Sequence, residues 1–376
     1  MHMPAGRGPA CAHNSAATAS KRSMGCRGHK LALFALLYYS CVFLVKSSMF
    51  ACTWTHRPSF AGLSFKTCLA LAQTFGYAVG KVPSMAFSPK LPRAHLRSAL
   101  MAVLGAAASC VTLSCITTAA VSLLLVGLAC VCLAPTWSLL QRFLEGRRDT
   151  EGIVAVVSFS YIGAAGLCKG AAVDLVALGF SEERAVATCA VAGALVGVAA
   201  AHGVAAQPPP DAADIAKRGR RAQMTDYRAE CGQLCHRFGV GIGVSVVAYT
   251  CLGALRAYRD YFQLELFAAV GLVGRSSLFA LSEFIVSLVV LAATAAFGLV
   301  EDNRRAISVI LRVAACGGLG LSLLTWAHQA GALGGLQWII AMGACAFLAC
   351  APHPTHDPLG RLCLPARAPE PTRPIQ

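Results

Sequence analysis

The sequence predicts an all-α, polytopic membrane protein of about ten helices. Three observations predict it. Hydrophobic residues make up 56% of the 376-residue chain and charged residues only 13%, about half the charged share of a soluble globular domain. The mean hydropathy of +0.62 is concentrated in runs of about 20 residues, the length that crosses a hydrocarbon core. The net charge of +15, from 32 Lys+Arg against 17 Asp+Glu, falls mostly between those runs.

Residues 1–30 are small, polar and basic (Arg7, Lys21, Arg22, Arg27, Lys30) and read as a disordered cytoplasmic tail, with Met24 as an alternative start. The apolar run from Leu31 follows this basic stretch as in a signal peptide. Similar runs recur throughout, so it reads as an uncleaved first span. Spans are expected at 31–53, 67–87, 98–117, 119–141, 152–172 and 185–206, forming a six-helix bundle over 31–206. A basic linker over 207–237 starts with Pro208-Pro209-Pro210 and contains Lys217-Arg218-Gly219-Arg220-Arg221. Further spans are expected at 238–257, 277–299, 306–326 and 333–351, forming a second bundle over 238–351. The stretch 262–275 is short and contains Glu265 and Arg275, so it reads as a loop or interfacial helix. Residues 352–376 form a Pro- and Arg-rich tail read as disordered. Strands are excluded because the runs are too long and lack the two-residue alternation of a membrane barrel.

Charge orients the chain. With a cytoplasmic N-terminus, twenty-two basic residues lie on the cytoplasmic side and six on the other: Arg57, Lys66, Arg184, Arg256, Arg259 and Arg275. That bias is the positive-inside pattern, and it predicts a multi-pass protein of the cytoplasmic (inner) membrane with both termini inside. The basic run of the linker would suit nucleic acid in a soluble protein. After a sixth span it reads as a topology-setting segment beside anionic lipid, so the lipid bilayer and not nucleic acid is the expected partner.

Several function classes drop out. The 18 cysteines mostly lie inside apolar runs, as do Cys110, Cys115, Cys130, Cys132 and Cys345, where they serve as small packing residues. Cys231, Cys235 and His236 match neither a haem nor a paired zinc spacing, so no metal or cofactor is expected. There is no H-E-x-x-H, no G-x-S-x-G and no P-loop, so an enzyme is not expected. Gly239-x-Gly241-x-Gly243 lies inside a span and reads as helix packing.

Ionisable groups at membrane depth are costly and mark function by default. Lys46 lies deep in the first span, Lys81 closes Gly76-Tyr77-Ala78-Val79-Gly80, and Arg256 ends the seventh span. Together they predict a cavity for a small anion. Lys81, Lys169 and Arg312 lie near span ends, where snorkelling also accounts for them. Arg259, Asp260 and Glu283 are candidates for pairing or coupling, with Asp260 expected to meet Arg256 or Arg259. Glu145, Arg147 and Arg148 form a candidate cytoplasmic gate loop after the fourth span.

Five segments carry a resemblance: Tyr39 to Lys46, Ser64-Phe65-Lys66 leading to Ala72 through Lys81, Phe143 to Glu151, Arg218 to Met224, and Arg256 to Glu265. Over roughly residues 31–350 the chain resembles an uncharacterised bacterial family of multi-span proteins related to the major facilitator superfamily. The resemblance implies a two-bundle, transporter-like fold with a substrate between the halves. A full member has about twelve spans. The tail after residue 351 has no apolar run, so the last two are expected to be missing.

More distantly, Tyr38 to Phe50 and Phe75 to Arg93 are similar to the first two helices of the organophosphate:phosphate antiporter branch. That likeness implies that Lys46 and Arg256 hold a phosphate, with Lys81 nearby and Asp260 near an acidic position. Lys46 stands where both groups usually carry Arg, which removes bidentate geometry, and Ser47-Ser48 replace expected basic and proline residues. The function expected is secondary transport of a small anionic solute, such as a phosphate-bearing organic anion, by alternating access. The alternative is a truncated or non-transporting membrane sensor or scaffold.

Overall fold

The computed structural model describes residues 26–144, 147, 150–210, 227–272, 276–297 and 303–349. The tail before residue 26, the linker core 211–226, Glu145, Arg148, Arg275 and the tail from residue 350 lie outside the described residues. Among the described residues the regular structure is helical, with Phe60 and Leu63 forming an isolated bridge. Helices satisfy their own backbone groups, which is what a bilayer demands.

Helix α1 (Cys26–Ser47) runs into a 3-10 turn at Ser48–Ala51. Then come α2 (Phe65–Phe87), α3 (Arg93–Ile116), α4 (Ala119–Leu133), α5 (Thr136–Leu144), α6 (Thr150–Ala177) and α7 (Glu182–Ala205). The later part holds α8 (Tyr227–Tyr261), α9 (Gln263–Ala269), α10 (Ser276–Phe297), α11 (Asn303–Gln329) and α12 (Gly335–Ala349). Among the described residues, six stretches are long and apolar enough to cross a membrane: Gly28–Ala51, Arg93–Ile116, Ala119–Leu144, Gly152–Ala177, Glu182–Ala205 and Ser276–Ala293. The other four predicted spans also fall on helices, namely α2, α8, α11 and α12.

Two boundaries differ from the sequence reading. The fourth span is split into α4 and α5 at Ala134-Pro135, because proline offers no N–H to the helix ladder. Helix α8 starts at Tyr227, inside the segment read as linker. Hydropathy reports where a helix crosses lipid and not where it starts, and at 35 residues α8 is about 52 Å long. The stretch 262–275, read as a loop or interfacial helix, contains α9, a short helix.

Local chemistry fixes the helix ends. The Ser64 side chain accepts from Thr67 N–H at the start of α2, and Ser181 does the same for Arg184 at the start of α7, each satisfying an otherwise unpaired donor. Glu182, in the first turn of α7, accepts from the N–H groups of Thr53 (2.7 Å) and Trp54 (2.8 Å). Arg57 donates to the last carbonyls of α3, Thr117 O at 2.8 Å and Cys115 O at 3.2 Å, where cations complement the helix dipole. These bonds gather residues 53–57, 115–117 and 182–183 at one end of the molecule. At the opposite end Ser88 meets Ser138 at 2.8 Å and accepts from Arg142.

Most of the buried core lies between the early helices. Helix α1 packs against α6 and α7, α2 against α4, and α3 against α4 and α7. The Tyr38 hydroxyl donates to Leu100 O at 2.8 Å and ties α1 to α3. Helix α10 packs along α6 and joins the later helices to the early ones. Small residues set the closest approach of α2 to α4. A β-carbon at Gly80 would lie 2.6 Å from Ala134 Cβ and 2.7 Å from Val131 O, whereas one at Gly105 in α3 would meet nothing. Gly80→Ala is therefore expected to cost roughly 1–3 kcal/mol and to lower the melting temperature in detergent, while Gly105→Ala leaves it unchanged or raises it. Equal melting temperatures for the two variants would contradict this packing.

Candidate functional site

Tyr39, Phe43 and Lys46 follow one another at helical spacing and share one face of α1. Trp137 of α5 and Tyr161 of α6 close on that face. Tyr39 lies 5.3 Å from Trp137 and 5.6 Å from Phe43, and Phe43 lies edge-on 5.2 Å from Tyr161, all between ring centroids. The Lys46 ammonium sits 5.4 Å from the Phe43 ring and 4.7 Å from the Tyr77 ring of α2. The Arg256 guanidinium of α8 lies 4.1 Å from the Tyr161 ring. Two of the predicted binding cations therefore share one aromatic cluster, and they lie within electrostatic reach of each other. Both side chains are half-buried. Lys81 lies one turn beyond Tyr77 on the same face of α2 and is exposed.

Beside this cluster lies a chain of buried polar groups. Lys169 of α6 is fully buried, so it does not snorkel. Its ammonium donates to the Asp260 carboxylate, to Asp260 O at 2.6 Å and to Gln263 Oε1 at 3.0 Å. The Gln263 amide nitrogen donates in turn to Glu283 Oε1 at 2.9 Å and Ser282 Oγ at 3.1 Å. Arg259 donates to Glu283, with Nη1 at 2.9 Å from Oε1 and 3.1 Å from Oε2. The Asp260 carboxylate forms an ion pair with Lys169 and Arg259 forms one with Glu283, while Asp260 also lies within electrostatic reach of Arg256. Lys169 is fully buried, and a buried ammonium needs a counter-charge, which Asp260 supplies from α8.

Two glycines make room for this chain. A β-carbon at Gly166 of α6 would strike Glu283 Cγ and Phe279 O. One at Gly343 of α12 would lie 2.6–2.7 Å from the Arg259 guanidinium. A second link between early and late helices lies nearby: Lys66 of α2 donates to both oxygens of Glu265 of α9 at 2.7 and 2.9 Å. Lys169, Gln263 and Lys66 were not singled out as site residues from the sequence. The signal for Lys169 was its place in a span among Gly163, Gly166 and Gly170; for Gln263 it was a polar residue three positions after Asp260.

Of the candidate gate loop, only Arg147 is described. It donates from Nε to Phe143 O at 3.1 Å and from Nη2 to Pro208 O at 2.6 Å, tying the end of α5 to the stretch after α7. Among the described residues no three His, Cys, Asp or Glu side chains are grouped to hold a metal.

Removing one member of the buried Arg259–Glu283 pair leaves the other charge unpaired, at a cost of roughly 3–5 kcal/mol. Glu283→Leu is expected to lower the melting temperature steeply, and Arg259→Met added to it to recover most of the loss. Additive effects in that cycle would show that the two charges do not depend on each other.

Residues 48–356 match a family described as a family of unknown function (DUF5690), and the chain belongs to that family. A search of curated proteins gave no match. Among solved structures the chain is similar to a D-xylose-proton symporter, at 14% sequence identity and a TM-score of 0.52 over 85% of this chain and 79% of that one. At that identity the likeness concerns the fold, which is that of a helical, major-facilitator-like membrane protein.

Proposed function

We propose that this member of the family is a secondary transporter that moves a small anionic solute by alternating access. The observation that carries the reading is the placing of Lys46 and Arg256, from an early and a late helix, on one aromatic cluster. A cation over an aromatic face gains about 2 kcal/mol or somewhat more when desolvated. Removing an ammonium from water costs several kcal/mol, so negative charge brought by a solute is the natural complement. The fold adds support, since major-facilitator-like proteins bind solutes near midplane between two helical halves. In this reading 31–206 and 238–351 are the halves and 207–237 links them. Lys81 borders the entry to the site. Arg147, with Glu145 and Arg148, forms a gate on the cytoplasmic side. The basic residues place that side and both termini in the cytoplasm of a cytoplasmic membrane. The solute class includes phosphate-bearing organic anions.

The test is uptake into proteoliposomes of labelled inorganic phosphate and glucose 6-phosphate, with D-xylose as an uncharged control. Lys46→Ala and Arg256→Ala are each expected to reduce anion uptake at least about tenfold, the effect of losing roughly 1.4 kcal/mol of binding. Anion uptake unaltered in both variants sinks the site assignment. A protein that neither moves these anions nor is thermally stabilised by them, as selective binding requires, favours a sensor or scaffold instead.

A further inference from the structure

Two links between early and late helices lie beyond the cation cluster, toward the end of the molecule that holds residues 53–57. Phe50 follows Lys46 by four positions, and Tyr261 follows Arg256 by five. Their rings stack at 4.3 Å between centroids, with Phe50 fully buried. The stack therefore lies about one turn beyond the two cations on both segments. Lys66 lies farther out. It is about 16 Å along α2 from Tyr77. Its neighbour Phe65 packs against Trp54 at 5.9 Å and lies 5.7 Å from the Arg57 guanidinium. From there Lys66 crosses to both oxygens of Glu265 of α9. At the opposite end the bonds of Ser138 and Arg142 to Ser88 join early helices to one another.

The Lys66–Glu265 pair is lopsided. The lysine side chain is 3% exposed and the glutamate side chain 45%. A half-exposed carboxylate that loses its partner stays in water with little penalty. A buried ammonium that loses its partner is left with an uncompensated charge, which is strongly unfavourable. It must then reach water. Glu265 is the member that faces water, so lifting α9 off the start of α2 brings Lys66 to it.

We propose that Lys66 and Glu265 form a one-sided lock on the mouth above the cation cluster: the mouth is closed while Glu265 neutralises Lys66, and loss of that carboxylate alone opens it. The basic residues orient this mouth away from the cytoplasm. The inference rests on the transport reading, in which such a mouth has to open and close, and adds the contact that holds it shut.

Hydrogen exchange of the full chain in lipid nanodiscs tests this without any solute. In Glu265→Gln, exchange is expected to rise at least about tenfold over residues 48–51, 65–70 and 261–269, on both sides of the mouth, and to stay unchanged over 96–111 in the core of α3. Lys66→Met leaves no buried charge to hydrate, so exchange at the mouth is expected to stay within about twofold of the unaltered protein. Adding Lys66→Met to Glu265→Gln returns the mouth to that level. A lock made by mutual attraction alone would open equally in the two single variants, so equal rises overturn the proposal. No rise in Glu265→Gln overturns it as well, as does a rise that extends over 96–111, the mark of general unfolding. Should Glu265→Gln not fold, Glu265→Asp decides: the carboxylate is kept but falls short of Lys66, a smaller rise confined to the mouth supports the lock, and no rise overturns it. Absence of anion uptake by the unaltered protein counts against the transport reading alone, and the exchange pattern still decides the lock.

Discussion

A charge enclosed by apolar helices must be paired, and the rest of this structure is arranged around that constraint. Lys169 is the clearest case. Its helix, α6, is largely apolar, with Glu151 and Asp174 as its acidic residues, and the ammonium takes its partner from outside it. It finds one across the interface, on Asp260 and Gln263. That single requirement joins an early helix to the junction of α8 and α9, and through Gln263 it reaches Glu283 and Arg259. The helices then approach closely because they have to. Gly166 leaves space for the Glu283 side chain and Gly343 for the Arg259 guanidinium, and larger residues at either place would separate charges that apolar surroundings cannot tolerate apart.

The protein treats its other deep cations differently. Lys46 and Arg256 lie against ring faces, which hold a cation in place while supplying only part of the stabilisation that lost water provided. Cations in ion pairs and cations over ring faces therefore lie side by side. Asp260 lies between them, bonded to the first set and within electrostatic reach of the second.

Much of the fold is legible along the chain because lipid imposes a simple rule. Apolar runs of sufficient length must be helices, and each of the ten expected spans falls on helix, the fourth on α4 and α5 together. Boundaries were less legible. Pro135 interrupts one crossing, and α8 continues outward well past the apolar stretch that signals it, since polar turns in water leave no hydropathy mark. The site was legible in its parts. Lys46, Arg256, Arg259, Asp260 and Glu283 stand out as charges in apolar surroundings. Their partners do not, because pairing by local spacing favours Arg256 with Asp260, whereas the pair formed joins residues 91 positions apart. Gln263, uncharged and next to a polar segment, carries only the weak signal of its spacing from Asp260 until its two neighbours are seen on either side of it.

The sequence by itself determined that this chain is a bundle of membrane-crossing helices and which residues bear charge at depth. Those properties follow from composition and run length, which act locally and do not depend on what packs against what. Only the tertiary structure decided how the charges are shared: which cation pairs with Asp260, which with Glu283, and which lie against aromatic rings. A counter-charge is chosen by distance in space, and the distances are set by helix packing through glycines and rings drawn from widely separated parts of the chain.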